Sequence, residues 1–462
     1  MNEPIDAINW VRWLFYLLGG VPLLGWILFT RDRVARLMAV LTFLLMVQDN
    51  IVGRRYVVGG FSIAPSTALM YVALLAEVMS QRRLPRLGAY LPLWIGFLFF
   101  AASNILVGSL GTGLWAVTYK YFQIFYLEGI LVFAYGLMAL RTNQDVLRYS
   151  RYIVLLGAAV AAAHIFTIAT GFRFRNSIEE YAGIYYAGVL DNANSLGSLY
   201  AMWLPVALSI LVGRRQPPAW RFAIMASMAI MFASLILSAS RGGLLFAILT
   251  SILAFATSRI GARRAIIATV ATGIGVGLGY FLLILLAPDA FREVLGLVEY
   301  EGTQSDRLRL FARYLQMLMD HPLGIGLAPA NFAARIAEYH IPGVVSAHNI
   351  YLDIALQTGV LGLLMFLAIV VSILALNRRA AGATTEPRER EILVYLMLPL
   401  VGFLGAGWVE PIFSVSNKLN NTFWIACGVS VAASQRILAA RRAAAAAEPP
   451  TPFGSRAEAQ PS

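Results

Sequence analysis

Residues 360–376 read VLGLLMFLAIVVSILAL, an apolar stretch in which no side chain carries a charge. With the residues before it, from Asn349 onward, the stretch is long enough to cross the hydrocarbon core of a bilayer, which takes about 20 residues of helix. Similar apolar runs recur along the whole chain, and only 13% of its residues are charged, against about a quarter in a globular protein. This composition excludes a large soluble enzyme. It predicts an all-α fold, a polytopic bundle of transmembrane helices.

The predicted bundle has about 12–13 spans, one for each apolar run. The runs lie near 11–30, 34–52, 62–79, 88–107, 115–140, 149–170, 196–213, 219–238, 242–257, 265–287, 349–376, 391–409 and 420–437. We assign residues 1–435 to one membrane domain. Residues 436–462 are rich in alanine and proline, and we expect them to form a disordered tail.

Arginine supplies nearly all of the positive charge, since Lys120 and Lys418 are the only lysines among the 36 basic residues. The arginines concentrate in every second connector between apolar runs, as they do in the cytoplasmic loops of membrane proteins. This pattern explains most of the net charge of +12 without nucleic acid, and it puts the tail in the cytoplasm. The single cysteine, Cys427, lies inside an apolar run and argues against a disulfide framework or a cysteine-built metal site.

Two segments on the opposite, outer side are more than connectors. The first, 171–195, carries Arg173 and Arg175 and includes the turn-like sequence DNAN at 191–194. The second, 288–347, is the longest stretch between apolar runs, and loops of this length are usually functional or disordered. Both segments are predicted to be periplasmic loops.

The composition of the longer segment predicts an ordered cap that bears short helices. Ser305 can begin a helix, and Pro322 with two following glycines can end it. Apolar residues recur there at helical spacing and a second face is polar; the residues are Leu308, Phe311, Leu315 and Leu318 on the first face and Arg309, Arg313 and Gln316 on the second. The segment is therefore predicted to pack as an extramembrane cap.

His348 stands where the long outer segment meets the apolar run that begins near residue 349. A histidine at this border can simply be an interfacial side chain with satisfied hydrogen bonds. It can also act as a general base, because an imidazole changes charge near neutral pH and can take the proton of a sugar hydroxyl. Gly359 and Gly362, further along the same run, allow close approach of other helices and would give the histidine a rigid support.

Arg241 lies in the shortest outer connector, between two apolar runs. It is either a snorkelling side chain or the partner of an anion, since a charge at that depth is costly without one. A planar guanidinium suits a phosphate or diphosphate, which it binds through two parallel hydrogen bonds. Arg173 and Arg175 can complete the same anion site, although either can equally be a solvated loop charge.

Four other polar residues have more than one interpretation. Lys120 and Glu128 lie in one apolar run at a spacing that puts them on roughly one helical face. They form either a proton or ion pathway or, more ordinarily, structural pairs inside the bundle. Asp353 and Glu410 are weaker carboxylate candidates, and of the two Asp353 could orient the helix or the site. The four histidines are dispersed and the sequence has no phosphate-binding glycine loop, so we predict no metal, no nucleotide and no other cofactor.

Four sequence motifs resemble, in their order along the chain, those of the O-antigen ligase and polymerase superfamily. They are DNANSL at 191–196, SRG at 240–242, DHPLGIG at 320–326 with Asn331-Phe332, and SAHNIYL at 346–352 followed by Gly359 and Gly362. Together they cover a core of about 185–365. Members of this family have about twelve spans with both ends in the cytoplasm, whereas thirteen runs put the amino terminus outside.

The resemblance implies a glycosyltransferase of the bacterial inner membrane that draws on undecaprenyl diphosphate-linked glycan, without metal and with an inverting mechanism. By position, His348 corresponds to the family's essential histidine, and Arg241 to an arginine that meets the donor diphosphate. Arg173 and Arg175 compete for the role of a second such arginine. Supporting roles are expected for five residues around these positions, which are Asn349, Asn194, Asp353, Arg309 and Arg313.

The resemblance also implies the partners, which are the lipid-linked donor, membrane lipids and an acceptor, but no nucleic acid. The acceptor is lipid A core for a ligase and another lipid-linked glycan for a polymerase. Some relatives transfer glycan to protein, and we favour this activity less than the other two. The rival class is a transporter or flippase of lipid-linked glycan, which often shows two repeated halves and a site near the bilayer midplane. The sequence has no convincing internal repeat, and its polar residues concentrate on the outer side, so glycan transfer is preferred.

Overall fold

A computed structural model of the chain describes residues 21–46, 56–58, 61–63, 65–82, 87–170, 190, 192–213, 216–238, 240–257, 303–327, 335, 338–339, 347–410 and 416–447. Most of these residues are helical. The described elements, in chain order, are α1 (Val21–Phe29), α2 (Arg33–Thr42), β1 (Tyr56–Val58), β2 (Phe61–Ile63), α3 (Pro65–Gln81), α4 (Tyr90–Thr112), α5 (Trp115–Phe122), a π-helical segment (Gln123–Leu127), α6 (Glu128–Ala139), α7 (Asn143–Thr170), α8 (Ala193–Val212), α9 (Pro218–Leu237), α10 (Arg241–Thr257), α11 (Thr303–Asp320), α12 (Ile350–Ala383), α13 (Pro387–Ala406) and α14 (Asn417–Ala447).

Seven helical stretches of the described residues are long and apolar enough to cross a membrane. They are α4, α5 together with α6, α7, α8, α9, α12 and α14. The predicted all-α, polytopic bundle is therefore confirmed, with one addition, a short antiparallel hairpin in which Tyr56 of β1 lies opposite Ile63 of β2. The predicted run at 265–287 lies outside the described residues, so the total of about 12–13 spans stays a prediction.

Three helices on one side of the bundle pack backbone against backbone. A Cβ atom added at Gly243 of α10 would collide with the backbone of Gly197 in α8, and one added at Gly402 of α13 would collide with the carbonyl of Ala201, also in α8. Small residues allow this close approach, as is common between helices in membranes. The contacts bring the starts of α8 and α10 and the end of α13 to the same end of the bundle.

The π-helical segment between α5 and α6 changes which residues of this span face inward. A π-helical turn holds an extra residue and so rotates the helix that follows it. Lys120 before the segment is exposed and Glu128 after it is buried, so the prediction that these residues share a face is wrong. The Glu128 carboxylate accepts hydrogen bonds from Thr67 Oγ1 at 3.0 Å and from Asn417 Nδ2 at 3.4 Å. Glu128 therefore joins α6 to α3 and α14, in agreement with the structural interpretation.

Helix α12 is broken at Gly359, whose φ of 77° and ψ of 169° are not helical. The chain that follows α11 fills the break: Ile325 N donates to Leu356 O at 2.7 Å, and Val360 N donates to Pro322 O at 2.9 Å. The DHPLGIG motif is thus held against the broken part of α12 by backbone hydrogen bonds. The glycine serves to interrupt the helix, a role that goes beyond the close approach predicted for it.

Helix α11 packs on the first half of α12 through a face that differs from the predicted one. Tyr314 and Met317 are fully buried against a cluster that includes Leu352 of α12. Phe311 and Leu315, which the sequence assigns to the packed face, are 40% and 42% exposed. Apolar residues cover more than half of the circumference of this helix, so their spacing alone does not show which part is covered.

Helix α14 continues to Ala447, so the first part of the predicted disordered tail is helical. Arg436 Nη1 donates to Leu140 O at 2.7 Å, and Arg441 Nη2 donates to Thr384 Oγ1 at 3.1 Å. Alanine and arginine are strong helix formers, and these two arginines tie the helix to the rest of the bundle. Residues 448–462 lie outside the described part of the chain.

Candidate active site

His348 immediately precedes the residue that caps α12. Asn349 Oδ1 accepts hydrogen bonds from the backbone N–H groups of Tyr351 and Leu352, each at 3.0 Å, which is the usual way to satisfy the start of a helix. Its Nδ2 donates to Trp408 O at 2.8 Å and so ties the cap to the turn after α13. His348 has a φ of 48°, a left-handed conformation that few residues other than glycine adopt. The cap and this conformation together set the direction of the imidazole, which is 40% exposed.

Asp353 braces the backbone just before His348. Its carboxylate Oδ1 accepts a hydrogen bond from Ala347 N at 2.7 Å, and the side chain is buried. Tyr314 of α11 lies near this carboxylate. Burial raises the pKa of the Tyr314 phenol well above its usual range, and the nearby Asp353 carboxylate adds to the effect. The hydrogen bond from Ala347 is consistent with the supporting role expected for Asp353.

Glu410 is the acidic side chain that lies beside His348. Its Oε2 is 3.9 Å from His348 Nδ1, which is an ion-pair distance and longer than a hydrogen bond. Glu410 is buried, whereas the imidazole is partly open to solvent. The Glu410 carboxylate thus faces the Nδ1 edge of the imidazole, and the imidazole remains open to solvent elsewhere.

Arg241 is the first residue of α10 and is exposed. The start of this helix is capped by Ser240, whose Oγ accepts a hydrogen bond from Gly243 N at 3.3 Å. A helix start carries unpaired N–H groups and a partial positive charge, which favour an anion and add to the charge of the guanidinium. Arg241 therefore stands at a place that is electrostatically suited to a phosphate group.

The turn 407–410 connects the two candidate residues. On one side, a Cβ atom added at Gly242, next to Arg241, would collide with the side chain of Val409. On the other side, Ile350 N donates to Gly407 O at 2.7 Å, and Glu410 faces the imidazole of His348. Arg241 and His348 consequently lie at the same end of the bundle, on opposite sides of one short turn.

The asparagine motif at the start of α8 lies at this end as well. Asn192 Oδ1 accepts a hydrogen bond from Ser195 N at 2.7 Å and caps the helix. Asn194, predicted to support the site, occupies the first turn, and its carbonyl accepts from Ser198 Oγ at 2.8 Å. A Cβ atom added at Gly197 would collide with Ser240, so the starts of α8 and α10 are in contact.

The other residues predicted for the site are Arg173, Arg175, Arg309 and Arg313. Arg173 and Arg175 lie outside the described residues. The backbone of Arg309 belongs to α11, and its side chain is outside the described part of the structure. Arg313 Nη1 donates to Tyr339 O at 3.2 Å and so holds the cap together. The supporting roles of these residues remain predictions.

Sequence reasoning overlooked Trp408 and the turn that contains it. Trp408 contributes its backbone carbonyl, which accepts a hydrogen bond from the Asn349 side-chain amide. Every residue has such a carbonyl, so the residue type does not indicate this contact. The adjacent Glu410-Pro411 pair was the available signal, because a carboxylate next to a proline after an apolar run marks a fixed polar turn.

These features define a class, a polytopic helical membrane protein that presents a histidine–carboxylate pair and an arginine at one end of its bundle. Residues 226–367 match the family model described as O-Antigen ligase, and this segment contains Arg241, α11 and His348. This segment is thus similar to the O-antigen ligase family, and the resemblance to the O-antigen ligase and polymerase superfamily is confirmed. No curated protein matches the chain.

Proposed function

We propose that this protein transfers an oligo- or polysaccharide from an undecaprenyl diphosphate carrier to an acceptor hydroxyl at the periplasmic face of the inner membrane. It would act as an O-antigen ligase or as an O-antigen or exopolysaccharide polymerase. The observation that carries the proposal is the position of Arg241 and His348 on either side of the turn 407–410, inside the segment that matches the O-antigen ligase family.

His348 is the general base of the proposed reaction. It takes the proton of the acceptor hydroxyl while the acceptor oxygen forms a bond to the anomeric carbon of the donor sugar. The bond from that carbon to the diphosphate oxygen breaks, and undecaprenyl diphosphate leaves with the bonding electrons. Glu410 is a positioning residue, because its carboxylate stabilises the imidazolium that forms when the proton arrives.

Arg241 holds the donor diphosphate. Its guanidinium donates two parallel hydrogen bonds to phosphate oxygens, and the start of α10 adds its partial positive charge. Fixed positive charge of this kind stabilises the charge that develops on the leaving diphosphate, so the reaction needs no metal. Arg173 or Arg175 supplies a second guanidinium from the earlier outer loop.

The acceptor distinguishes the two forms of the activity. A ligase joins the glycan to lipid A core, and a polymerase joins it to another lipid-linked repeat. A deletion strain separates them through the glycan that accumulates. Long chains that remain on the carrier identify a ligase, and single repeats identify a polymerase.

The base is tested with the full-length protein in liposomes that contain a lipid-linked glycan donor and an acceptor. We expect His348→Ala to lower transfer by about 10²- to 10⁴-fold, which is the usual contribution of a general base. The elution profile and the thermal unfolding of the variant serve as controls for folding. Undiminished transfer by a folded His348→Ala variant would refute the proposal.

A further inference from the structure

Helix α11 has an apolar side that the described residues leave exposed, which is unusual for a helix expected to lie in water. Phe311, Leu315 and Met319 lie on it four residues apart, and Leu323 extends this row into the turn after the helix. Met319 is 67% exposed, and Leu323, in the turn after the helix, is 70% exposed. No part of the chain that the structure describes covers this row.

The other two sides of α11 make different contacts. One side packs on α12 through Tyr314 and Met317. The polar side is bound by Tyr339, whose carbonyl accepts from Arg313 Nη1 at 3.2 Å and whose hydroxyl donates to Asp320 Oδ2 at 2.9 Å. Burial, and then the hydrogen bond to the Asp320 carboxylate, raise the pKa of Tyr339 and keep its hydroxyl a donor. The described residues thus cover the polar side in part and leave the apolar row exposed.

The end of α11 lies alongside a membrane-spanning helix, well inside its apolar stretch. Asn104 Nδ2 of α4 donates to Leu323 O at 3.0 Å. The apolar stretch of α4 that is long enough to span a membrane runs to Leu110, six residues further on, which is about 9 Å along a helix. Helices that lie in a membrane surface bury their apolar face about 5–10 Å into the boundary of headgroups and acyl chains. A membrane boundary at Leu110 would put the Leu323 carbonyl within this range.

Helix α4 also carries exposed apolar side chains. Phe99, Leu106 and Leu110 of α4 are all exposed, on a helix long and apolar enough to cross the membrane. Leu323 is held against another face of the same helix through Asn104, which is buried. The row on α11 therefore lies next to a helix that itself exposes apolar side chains.

We propose that α11 is an interfacial helix whose row, Phe311 to Leu323, inserts among the acyl chains of the bilayer. The cap is then docked on the membrane and is not suspended in the water above it. Four partly exposed side chains are too small a surface for a second copy of the chain, since a stable protein interface takes about 800 Å² from each partner. Lipid needs no such minimum area, because the bilayer covers whatever apolar surface reaches it.

The test measures the environment of single spin labels on the full-length protein in vesicles of phosphatidylethanolamine and phosphatidylglycerol. Leu315→Cys and Met319→Cys place a nitroxide on the row, and Gln316→Cys places one on an exposed position of the polar side. All three are made in a Cys427→Ala background. We expect oxygen, which concentrates in lipid, to relax the labels at 315 and 319 several-fold more than a water-soluble nickel complex does. The order should be reversed at 316.

Every other outcome contradicts the proposal that α11 inserts into the membrane surface. Equal access of the nickel complex to 315 and 316 means that the row faces water. Low access of both reagents at 315 and 319 means that protein covers the row, and dipolar broadening between labels identifies a second copy. If the spin label prevents folding at 319, the label at 315 and its neighbour at 316 give the same comparison. The measurement requires no glycan transfer, so its result does not depend on the proposed activity.

Discussion

At His348 the backbone adopts a φ of 48°, and two neighbours hold it in that state. Asn349 caps the helix that follows, and Asp353 accepts a hydrogen bond from Ala347, the residue before the histidine. A conformation of this kind costs of order 1–3 kcal/mol and persists only where the surroundings enforce it. Such conformations concentrate at functional sites, in agreement with the role proposed for this imidazole.

Glu410 should act through His348 and not by itself. We expect Glu410→Gln to lower turnover by roughly tenfold or more, because the imidazolium loses its carboxylate partner, and Glu410→Asp to restore part of it. In a His348→Ala background, Glu410→Gln should have no further effect, since two residues that act as a unit are not additive. Turnover is measured with all four proteins. Equal losses in both backgrounds would show that Glu410 acts independently of the histidine.

Arg241 should require its planar shape as well as its charge. Arg241→Lys keeps the charge but loses the pair of parallel hydrogen bonds, so we expect transfer to fall about 10²-fold. Arg221→Lys is the matched control, because Arg221 is an exposed arginine in the first turn of α9, at the end of the bundle away from the site. Equal transfer by the two lysine variants would contradict bidentate contact with the diphosphate.

Among the helices, α12 is the one whose start and break both shape the site. Its first half carries the capping contacts of His348, and its break at Gly359 receives the backbone of the chain after α11. The short turn after α13 lies against the start of α12 and against the start of α10. The position of the site is therefore a property of helix ends, where backbone groups remain available for such contacts.

The break at Gly359 should tolerate no side chain. Gly359→Ala puts a Cβ atom 2.8 Å from the Leu323 carbonyl at a φ of 77°, so we expect a loss of about 1–3 kcal/mol in the free energy of unfolding. Gly382→Ala is the matched control in the same helix, because a Cβ atom there meets nothing within 4 Å. It should be neutral or stabilising. Thermal unfolding in nanodiscs compares the two, and an unchanged Gly359→Ala would mean that the break is not enforced by packing.

The two contacts of Asn349 should be separable. Asn349→Ala removes both the cap and the tie to Trp408, and we expect it to cost about 1 kcal/mol of stability and most of the activity. Asn349→Ser keeps a capping oxygen but is too short to reach the Trp408 carbonyl. This variant should retain nearly normal thermal unfolding and lose turnover several-fold. If its turnover equals that of the wild type, the tie to the turn 407–410 has no part in positioning His348.

Across the whole molecule, close packing at small residues brings the helix ends of the candidate site together. Gly197, Gly243 and Gly402 let α8, α10 and α13 touch through their backbones, which sets the starts of α8 and α10 beside the end of α13. The buried carboxylate of Glu128 joins α3, α6 and α14 elsewhere in the bundle. A rigid bundle of this kind keeps an arginine and a histidine, distant in sequence, on either side of one turn.

The sequence by itself determined the class of protein, since long apolar runs cannot be accommodated outside a membrane. It also made His348 and Arg241 candidates, because a polar side chain at the edge of an apolar run is costly without a specific partner. The tertiary structure alone decided that Glu410 faces the histidine, that the Trp408 carbonyl accepts a hydrogen bond from Asn349, and that the described residues leave the outer row of α11 exposed. These relations depend on backbone carbonyls, helix rotation and contacts between distant segments. The residue types and their spacing along the sequence therefore do not predict these contacts.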